Sequence, residues 1–588
     1  MPGLFTRAPS GPGSSRRDSP AAHIPSASNS PQIRATRPPS VRLHWSCKAR
    51  CLPDTDQSSI NQPSTVADST ASLVHTPDGI LRGRVVTTSD GVAAAFRGIP
   101  YRVATQRFRP GRLVEPWKGT RDAVQAGPAS PQHVDDPGGL LINERDCLNL
   151  NVWTPDPSAH KLPVFVWIHG GLHISGSNAD PLRDGVRLAA SGGIVVVSIN
   201  YRLGALGYLT LDHLLGPDYS QSGNLALVDI ISALEWVRDS IAQFGGDPLN
   251  VTVAGQSAGA TMVATLLASP RAEGLMRRAI VQSGDPERVG SRAYGEAVTG
   301  ELLELLHLGG DPAGLIDLPW STIIRAQQHL LAKHSAGRPQ PVPVFRPSID
   351  GRLLLSDPVA AVARGASSAM DLIVGTNLNE ASGHVDLREG GTHVSQAALD
   401  GSLSTLLSKE PLGERSLSRF EAYREAFQRD TGRGATHAEL LEACLTDSTY
   451  RQPSQRLLDA RTQATGSTRS YLFVWEQQDA TWARGAGHSL ELPFLFRHVD
   501  DSRQARAEAG LNAPYSLRDV ISQYWVAFAA TGALDHWPEY EPNRRSTLIL
   551  DSPTRLADAP RDNIRRLAAE SHMTKSPSRA LRNPTHRR

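Results

Sequence analysis

The stretch VTVAGQSAGA, residues 251–260, places one serine, Ser257, between two glycines, each two residues away. An apolar run precedes the serine and an alanine-rich run follows it, which predicts a strand that turns sharply into a helix at this point. Gly255 and Gly259 supply the small side chains that so close an approach of strand and helix needs, and Gln256 completes the predicted turn. A plain turn also fits this pattern taken alone, so Ser257 is a candidate nucleophile that needs partners.

The helix predicted after Ser257 would direct its free N–H groups, and the positive end of its dipole, at negative charge forming beside the hydroxyl. The amide of Ala258 is the natural donor. The sequence HGGLHISGS, residues 169–177, follows another apolar, strand-like run, and its two glycines allow the backbone to turn amides inward. We therefore predict that Gly171 and Leu172 form an oxyanion hole together with Ala258. An ordinary strand-to-helix turn is the alternative for this segment alone.

The composition of the 588-residue chain, with 39% apolar and 20% charged residues, is ordinary for a soluble globular protein. A formal net charge of +2 indicates neither nucleic acid nor an anionic membrane as the main partner, because both need a concentrated basic field. No apolar run approaches the roughly 20 residues of a membrane-spanning helix, so we expect no integral membrane segment. Cys47 and Cys51 have no second Cys or His pair nearby at ligand spacing, and we predict no metal site.

Three segments of different composition divide the chain. Residues 1–72 are dominated by Pro, Ser, Ala, Arg and Thr without apolar periodicity, which predicts a disordered tail. Residues 73–565 are predicted to form one large domain, and residues 566–588 a basic, disordered tail. The first residues lack the continuous apolar run of a secretory signal, so a cytoplasmic location is expected, although the tail leaves the true start site open.

Alternation of apolar runs with amphipathic stretches predicts the fold class. Strand-like runs occur at residues 163–168, 194–199, 250–254, 277–282, 371–375 and 470–475, and residues 225–244 have apolar positions at helical spacing. Strands that are apolar on both faces and linked by helices imply an α/β fold with a mostly parallel central sheet and helices on both faces. Ligands of such sheets bind at the carboxyl ends of the strands.

Ordered segments from about Gly79 to about Asp551 resemble the type-B carboxylesterases, an α/β-hydrolase family that includes carboxylesterases, cholinesterases and bacterial nitrobenzyl-type esterases. The segments that carry this resemblance include AFRGIPY (95–101), ERDCLNLNVWTP (144–155), INYRLGALGYL (199–209), VGTNLNEAS (374–382) and GAGHSLELPFLF (485–496). The resemblance implies the α/β-hydrolase fold and cofactor-independent hydrolysis of small-molecule carboxylic esters by a serine nucleophile.

The resemblance also implies an acid and a base that follow the serine in the chain order expected for this fold. Glu380, in VGTNLNEAS, stands where the family carries its acid, and Asn379 replaces the usual aspartate before it. His488, in GAGHSLELPFLF, stands where the family carries its base. We expect Glu380 to fix the tautomer of His488, which would take the Ser257 proton during attack and return a proton to the leaving alcohol.

Departures from the family pattern bear on the substrate. Gln256 stands where cholinesterase-like members carry a glutamate, and residues 130–147 contain no tryptophan for an aromatic cation-binding platform. These departures argue against choline esters as substrates, and neutral small or medium esters are expected. The bulky Leu172 is expected to narrow the acyl pocket or tilt an oxyanion amide. His173 replaces an aromatic residue, and neither it nor His384 has a supported role.

Ser130 replaces a family cysteine, which leaves Cys147 without its expected partner. An unpaired family cysteine is consistent with a reducing cytoplasm.

Two other functions remain open from the sequence. A lipase, or a carbamate, lactone or amide hydrolase, would use the same triad. A non-catalytic, neuroligin-like binding protein shares the fold, but such proteins usually lose the nucleophile and have a membrane anchor. The oligomeric state stays undetermined.

Overall fold

A computed structural model of the chain describes residues 71–134, 140–387, 393–407, 415–476, 485–510 and 512–573. Most of the two predicted tails, residues 1–70 and 574–588, lies outside the described residues. The first strand begins at Ala71 and the last helix ends at Met573, so the described fold extends past the predicted domain limits of 73 and 565 at both ends.

The strands are β1 (Ala71–Thr76), β2 (Gly79–Thr88), β3 (Gly91–Pro100), β4 (Thr120–Asp122), β5 (Asn149–Thr154), β6 (Leu162–Ile168), β7 (Val195–Ile199), β8 (Gly246–Gln256), β9 (Arg278–Gln282), β10 (Gly290–Ser291), β11 (Ser348–Ile349), β12 (Asp371–Asn377), β13 (Thr468–Phe473), β14 (Ser546–Leu550) and β15 (Arg555–Asp558). The six predicted apolar runs correspond to β6, β7, β8, β9, β12 and β13.

The α-helices are α1 (Val186–Gly192), α2 (Gly204–Tyr208), α3 (Asp212–Leu215), α4 (Leu225–Ser240), α5 (Ala258–Leu267), α6 (Arg292–Leu305), α7 (Trp320–Ser335), α8 (Pro358–Ala363), α9 (Gln396–Leu407), α10 (Arg415–Thr431), α11 (His437–Thr446), α12 (Gln452–Ala460), α13 (Leu492–Leu495), α14 (Arg503–Ala509), α15 (Tyr515–Thr531) and α16 (Asp562–Met573). A short 3₁₀ segment, Glu380–Gly383, follows β12, and one π-helical turn, Asp447–Arg451, joins α11 to α12. None of the helices in the described ranges is long and apolar enough to cross a bilayer.

One large sheet carries the fold, with the strand order β1-β2-β3-β5-β7-β6-β8-β9-β12-β13-β14-β15 and β4 beside β2. The strands from β7 through β14 in this order pair in parallel, as predicted. The flanks are antiparallel: β1, β2, β3, β5 and β7 pair in this way, and so do β14 and β15. The parallel centre brings the carboxyl ends of β6, β8, β9, β12 and β13 to one edge.

Both faces of the central strands are buried. In β6, Val164, Val166 and Ile168 belong to one hydrophobic cluster, whereas Phe165 and Trp167 belong to another on the opposite face. Successive side chains of a strand point to opposite faces, so a strand covered on both sides is apolar at every position. Helix α4 contributes to the first cluster and helix α15 to the second, which confirms helices on both faces.

A separate helical cluster lies next to the end of β12. Buried side chains of α9, α10, α11 and α16 form this cluster, and it includes Ala381, the residue after Glu380. Ile564 and Ala568 of α16 are buried in it. The predicted domain limit at 565 therefore falls inside a packed helix.

Candidate active site

The predicted turn at Ser257 lies where β8 ends at Gln256 and α5 begins at Ala258. Ser257 has φ 58° and ψ −124°, a backbone conformation that costs a non-glycine residue about 1–3 kcal/mol and persists only when the surroundings enforce it. The Ser257 N–H donates to the carbonyl of Gln282 at 2.9 Å, which ties the turn to the end of β9. The strained turn projects the hydroxyl at the carboxyl edge of the sheet.

Two glycines make this turn possible by removing side chains from the strand–helix contact. A Cβ at Gly255 would lie 2.6 Å from the carbonyl carbon of Gly259. A Cβ at Gly259 would overlap the carbonyl oxygen of Ile168 and lie 2.7 Å from that of His169. Real Cβ atoms do not come this close to backbone, so β6, β8 and α5 meet only because both positions are glycine.

The loop after β6 lies directly against this turn. A Cβ at Gly170 would lie 2.7 Å from the carbonyl oxygen of Gln256 and 3.0 Å from the Cβ of Ser257. Gly171 has φ 111° and Leu172 has φ 56°, so the chain reverses at the predicted oxyanion residues. The carbonyl of Gly171 accepts the N–H groups of the consecutive residues Ile174 and Ser175, both at 3.0 Å, which closes a tight turn.

Three amides near Ser257 are left without protein acceptors. Among the described residues, the N–H groups of Gly171, Leu172 and Ala258 make no hydrogen bond. The Ala258 amide is free because it belongs to the first turn of α5, where no preceding carbonyl is within reach. Free N–H groups beside a hydroxyl are the components of an oxyanion site.

The predicted acid and base are in direct contact. Nδ1 of His488 lies 2.6 Å from Oε2 of Glu380, while Oε1 of Glu380 accepts the N–H of Asn377 at 2.7 Å. The Glu380 carboxylate is buried, and the imidazole keeps 16% of its side-chain surface exposed. The ring of Tyr450 packs against the imidazole with centroids 4.9 Å apart. The carboxylate thus fixes the Nδ1 side of the ring, which leaves Nε2 on the opposite side.

The second imidazole nitrogen points at the serine turn but contacts the neighbour of the serine. Nε2 of His488 lies 3.0 Å from Nε2 of the Gln256 side chain, so a neutral ring protonated on Nδ1 accepts a hydrogen bond from the Gln256 amide. Within the described residues the Ser257 hydroxyl makes no hydrogen bond to His488. The structure therefore joins Glu380 to His488 and brings the ring to the turn, and it leaves the last contact to Ser257 unformed.

Comparison with known proteins now identifies the family. The model of the carboxylesterase family matches residues 70–567. The chain belongs to the carboxylesterase family. It is 34% identical over 513 residues to the para-nitrobenzyl esterase of Bacillus subtilis (strain 168), covering 84% of this chain and 98% of that protein. It is 31% identical over 499 residues to the phenmedipham hydrolase of Pseudarthrobacter oxydans, covering 82% of this chain and 95% of that protein.

A solved structure agrees with this assignment. The thermophilic PNB esterase superposes with a TM-score of 0.72 at 30% sequence identity, covering 85% of this chain and all of that one. The α/β-hydrolase fold and the resemblance to nitrobenzyl-type esterases, both predicted from the sequence, are confirmed. The chain is a carboxylesterase.

Beside Glu380 and His488, this carboxylesterase has a buried polar network that the sequence patterns did not reveal. The Asn377 side-chain amide donates to the carbonyl of Gly487 at 2.7 Å and to Glu491 at 2.8 Å. Gln282 donates to the other oxygen of Glu491 at 3.2 Å and accepts from the Trp525 indole at 2.8 Å. Burial raises the pKa of Glu491, and the nearby Glu380 carboxylate raises it further. The network fixes the loop that carries His488.

Asn379, noted as a departure from the family, also has a structural role. Its backbone N–H donates to the carbonyl of Ala486 at 2.9 Å, and its side-chain oxygen accepts the N–H of Ala486 at 3.2 Å. Its side-chain amide donates to the buried Glu442 of α11 at 3.1 Å. Asn379 therefore connects the loop of Glu380, the loop of His488 and the helical cluster. A neutral amide suits this position because it both donates and accepts hydrogen bonds.

Two further histidines lie close by, and both are held neutral. Burial lowers the pKa of His173 to about 3 and that of His384 to about 4. Nδ1 of His173 lies 2.9 Å from the hydroxyl of Tyr208, so the ring is anchored to α2. Neither ring is protonated near neutral pH. His488 is the imidazole that contacts Glu380.

The cysteine chemistry of the described residues is simple. Cys147 and Cys444 are buried free thiols, and Cys47 and Cys51 lie outside the described residues. Burial raises the pKa of Cys147 to about 12, which keeps it protonated and unreactive. Ser130, which replaces the family cysteine, accepts the N–H of Leu203 at 3.2 Å. Among the described residues, no three or more His, Cys, Asp or Glu side chains cluster in a way that could hold a metal ion.

Proposed function

We propose that this carboxylesterase hydrolyses carboxylic esters through an acyl-enzyme formed on Ser257, with His488 as general base and Glu380 as its orienting acid. The observation that carries the proposal is the ring of His488, held at 2.6 Å by Glu380 with its second nitrogen facing the strained turn. The free amides of Gly171, Leu172 and Ala258 would stabilise the oxyanion. Loss of one such donor typically costs about 2.7–4 kcal/mol of transition-state stabilisation.

The reaction follows from the roles of these groups. Nε2 of His488 takes the Ser257 proton as the serine oxygen bonds to the ester carbonyl carbon, and the carbonyl electrons move onto the oxygen facing the amides. When this intermediate collapses, the carbon–alkoxy bond breaks and His488 returns the proton to the leaving alcohol. Water then repeats both steps on the acyl-enzyme, releasing the carboxylic acid and the free serine.

Gln256 must first release the base. Its amide occupies the lone pair on His488 that the Ser257 proton needs, so a side-chain rotation of Gln256 precedes attack. Catalytic hydrogen bonds are often loose without substrate and tighten once it binds. Gln256 and Ser257 are adjacent on the same turn, so the ring of His488 already lies beside the residue next to the serine.

Replacing Gln256 with glutamate should make hydrolysis more sensitive to acid. A carboxylate beside Nε2 stabilises the protonated imidazole, so the neutral base forms only at higher pH. Opposite charges at this distance shift a titration by about 1–3 pH units, so the acid limb of kcat/KM should move upward by about one unit. The pH dependence of kcat/KM for hydrolysis of a neutral ester measures this shift. Gln256→Met is the uncharged control. An acid limb at the wild-type position in Gln256→Glu would contradict the contact.

A fluorophosphonate probe tests the proposal itself. The wild-type enzyme should be labelled and should hydrolyse p-nitrophenyl esters, whereas Ser257→Ala should do neither, because only an activated serine attacks phosphorus or carbonyl carbon at a useful rate. Ser191→Ala, at an exposed position of α1 away from the site, is the matched control for loss of a serine hydroxyl. A wild-type protein that neither reacts with the probe nor hydrolyses any ester would refute the proposal.

Neutral small or medium esters are the proposed substrates. A series of p-nitrophenyl esters of increasing chain length separates an esterase from a lipase, and carbamates and lactones in the same panel test the other hydrolases that share the triad. The relatives that match most of the chain include an esterase and a hydrolase. This favours a hydrolase over the neuroligin-like binding protein that the sequence left open.

A further inference from the structure

A short two-stranded sheet has an arginine before each of its strands. β10 pairs in parallel with β11, with Gly290 opposite Ser348, and the Gly290 N–H donates to the carbonyl of Pro347 at 2.7 Å. Arg288 and Arg346 each precede this pair by two positions. The pairing therefore brings two cationic side chains to the same end of the small sheet.

The loop that carries Arg288 is attached to the helix of the candidate nucleophile. Nε of Arg288 donates to the Asp285 carboxylate at 2.7 Å. The Thr261 hydroxyl donates to the carbonyl of Asp285 at 3.2 Å, and the Thr261 N–H donates to the carbonyl of Ser257 at 3.0 Å. Arg288 is thus connected to Ser257 through one turn of α5.

Arg346 is held by its flat face and has no anionic partner. Its guanidinium carbon lies 4.0 Å from the ring centroid of Tyr294, whose hydroxyl donates to the carbonyl of Val344 at 2.9 Å. Nε of Arg346 is buried without a hydrogen-bond acceptor, and no ion pair of Arg346 occurs among the described residues. Stacking positions the guanidinium while its donors remain unused.

Residues close to Arg346 pack against Thr210, near the tyrosine that holds the oxyanion loop. A Cβ at Gly295, the residue after Tyr294, would lie 3.1 Å from the Ser348 hydroxyl and would overlap that of Thr210. Two residues before Thr210, Tyr208 contacts His173 of the oxyanion loop. The tight contact of these segments places the arginine pair on the side of the site that holds the oxyanion amides.

The electrostatic effect of both arginines on His173 is consistent with their position near the oxyanion amides. Burial is the main cause of the low pKa of His173, and the positive charges of Arg288 and Arg346 lower it further. Both guanidinium groups therefore act on the residue that directly follows Leu172. Arg288 also acts on Tyr450, whose ring packs on His488.

Nearby carboxylates do not neutralise Arg346. Asp285 is engaged by Arg288, and Glu287 is engaged by Arg456 in two bonds of 2.6 Å each. A buried guanidinium nitrogen without an acceptor is costly, and a carboxylate is the partner whose two oxygens match the guanidinium fork. Within the described ranges, Arg346 therefore has no anionic partner.

We propose that Arg346, with Arg288 beside it, binds a carboxylate carried by the substrate, so that the enzyme accepts esters bearing a second, ionised carboxyl group. This inference rests on the proposed ester hydrolysis at Ser257 and extends its range beyond neutral esters. The carboxylate belongs either to the acyl chain, as in half-esters of dicarboxylic acids, or to the alcohol, as in esters of hydroxy acids.

Length-matched ester pairs test the inference. The acyl arm compares mono-4-nitrophenyl adipate with 4-nitrophenyl hexanoate, and the alcohol arm compares 4-acetoxybenzoate with its methyl ester. The readout is the ratio of kcat/KM for the anionic ester to that for the neutral one, measured in wild type, Arg346→Met and Arg346→Lys. Arg429→Met, on the exposed surface of α10, is the matched control for loss of a positive charge.

In at least one arm, Arg346→Met should lower the ratio about tenfold or more, as expected for loss of a hydrogen bond to a charged group. Arg346→Lys should retain part of the ratio, because it keeps the charge without the planar fork. Arg429→Met should keep the wild-type ratio, and added salt should lower the wild-type ratio. The arm that responds identifies where the carboxylate lies.

Equal ratios in wild type and Arg346→Met in both arms, with the neutral esters hydrolysed, would overturn the carboxylate site and leave the proposed function intact. Absence of hydrolysis of every ester by the wild-type enzyme would overturn the proposed function and the carboxylate site with it.

Discussion

Replacing His488 with glutamine should lower kcat for any ester by at least about 10⁵-fold, since loss of the base in comparable triads costs roughly 10⁶-fold. Glutamine can still accept from or donate to its neighbours, but it takes no proton from Ser257 at neutral pH. The Glu380 carboxylate, 2.6 Å from the ring in the wild type, would keep a hydrogen-bond donor. Steady-state kinetics and the rate of fluorophosphonate labelling measure the loss, and far-UV circular dichroism shows whether the fold is kept.

An exposed histidine supplies the control for this substitution. His213, in the short helix α3, is exposed and lies outside the proposed machinery, so His213→Gln should hydrolyse esters at the wild-type rate. Activity within about tenfold of wild type in His488→Gln would be far too high for loss of a general base. Such a result would move the proton acceptor to another residue.

Replacing Arg202 with methionine should destabilise the enzyme by about 3–5 kcal/mol, the usual effect of removing one partner of a buried ion pair. Arg202 and Asp229 are 3% and 1% exposed, and they form two bonds of 2.7 and 2.6 Å. Methionine fills much of the same space but leaves the Asp229 carboxylate buried without its cation. The midpoint of urea unfolding, followed by circular dichroism and by residual ester hydrolysis, measures the change.

The matched control is a solvent-exposed ion pair with a similar distance between its partners. Arg238 and Asp239 are joined at 2.7 Å but are 51% and 57% exposed. Solvent and ions screen such a pair, so Arg238→Met should change stability by less than about 1 kcal/mol. Similar unfolding midpoints for the two variants would show that burial of the Arg202 pair has no special energetic effect.

The central strands could be predicted because burial on both faces leaves an uninterrupted apolar run. β6 and β7 are examples, with every residue or nearly every residue buried. The antiparallel strands β1 and β2 were missed because many of their residues are exposed or half-buried and no such run results. The end of α16 was missed because its basic residues obscured the two apolar positions, Ile564 and Ala568, that pack inside.

Part of the candidate site was accessible from the sequence as well. Ser257, Glu380 and His488 were named because glycine spacing and family motifs mark them, and two of the three are in contact. The contact between Gln256 and His488 was not predicted, because it depends on side-chain rotamers within a three-dimensional site. The network of Asn377 and Glu491 joins residues 114 positions apart, which local patterns cannot pair.

The backbone of Ser257 has a consequence for engineering this enzyme. Glycine adopts φ 58° and ψ −124° with far less steric penalty than serine, so the fold alone would favour glycine at this position. A screen that rewards only heat resistance would therefore select against the residue proposed to attack the ester. Directed evolution of a more robust variant needs a turnover requirement at every round, because thermal tolerance and reactivity compete at this one residue.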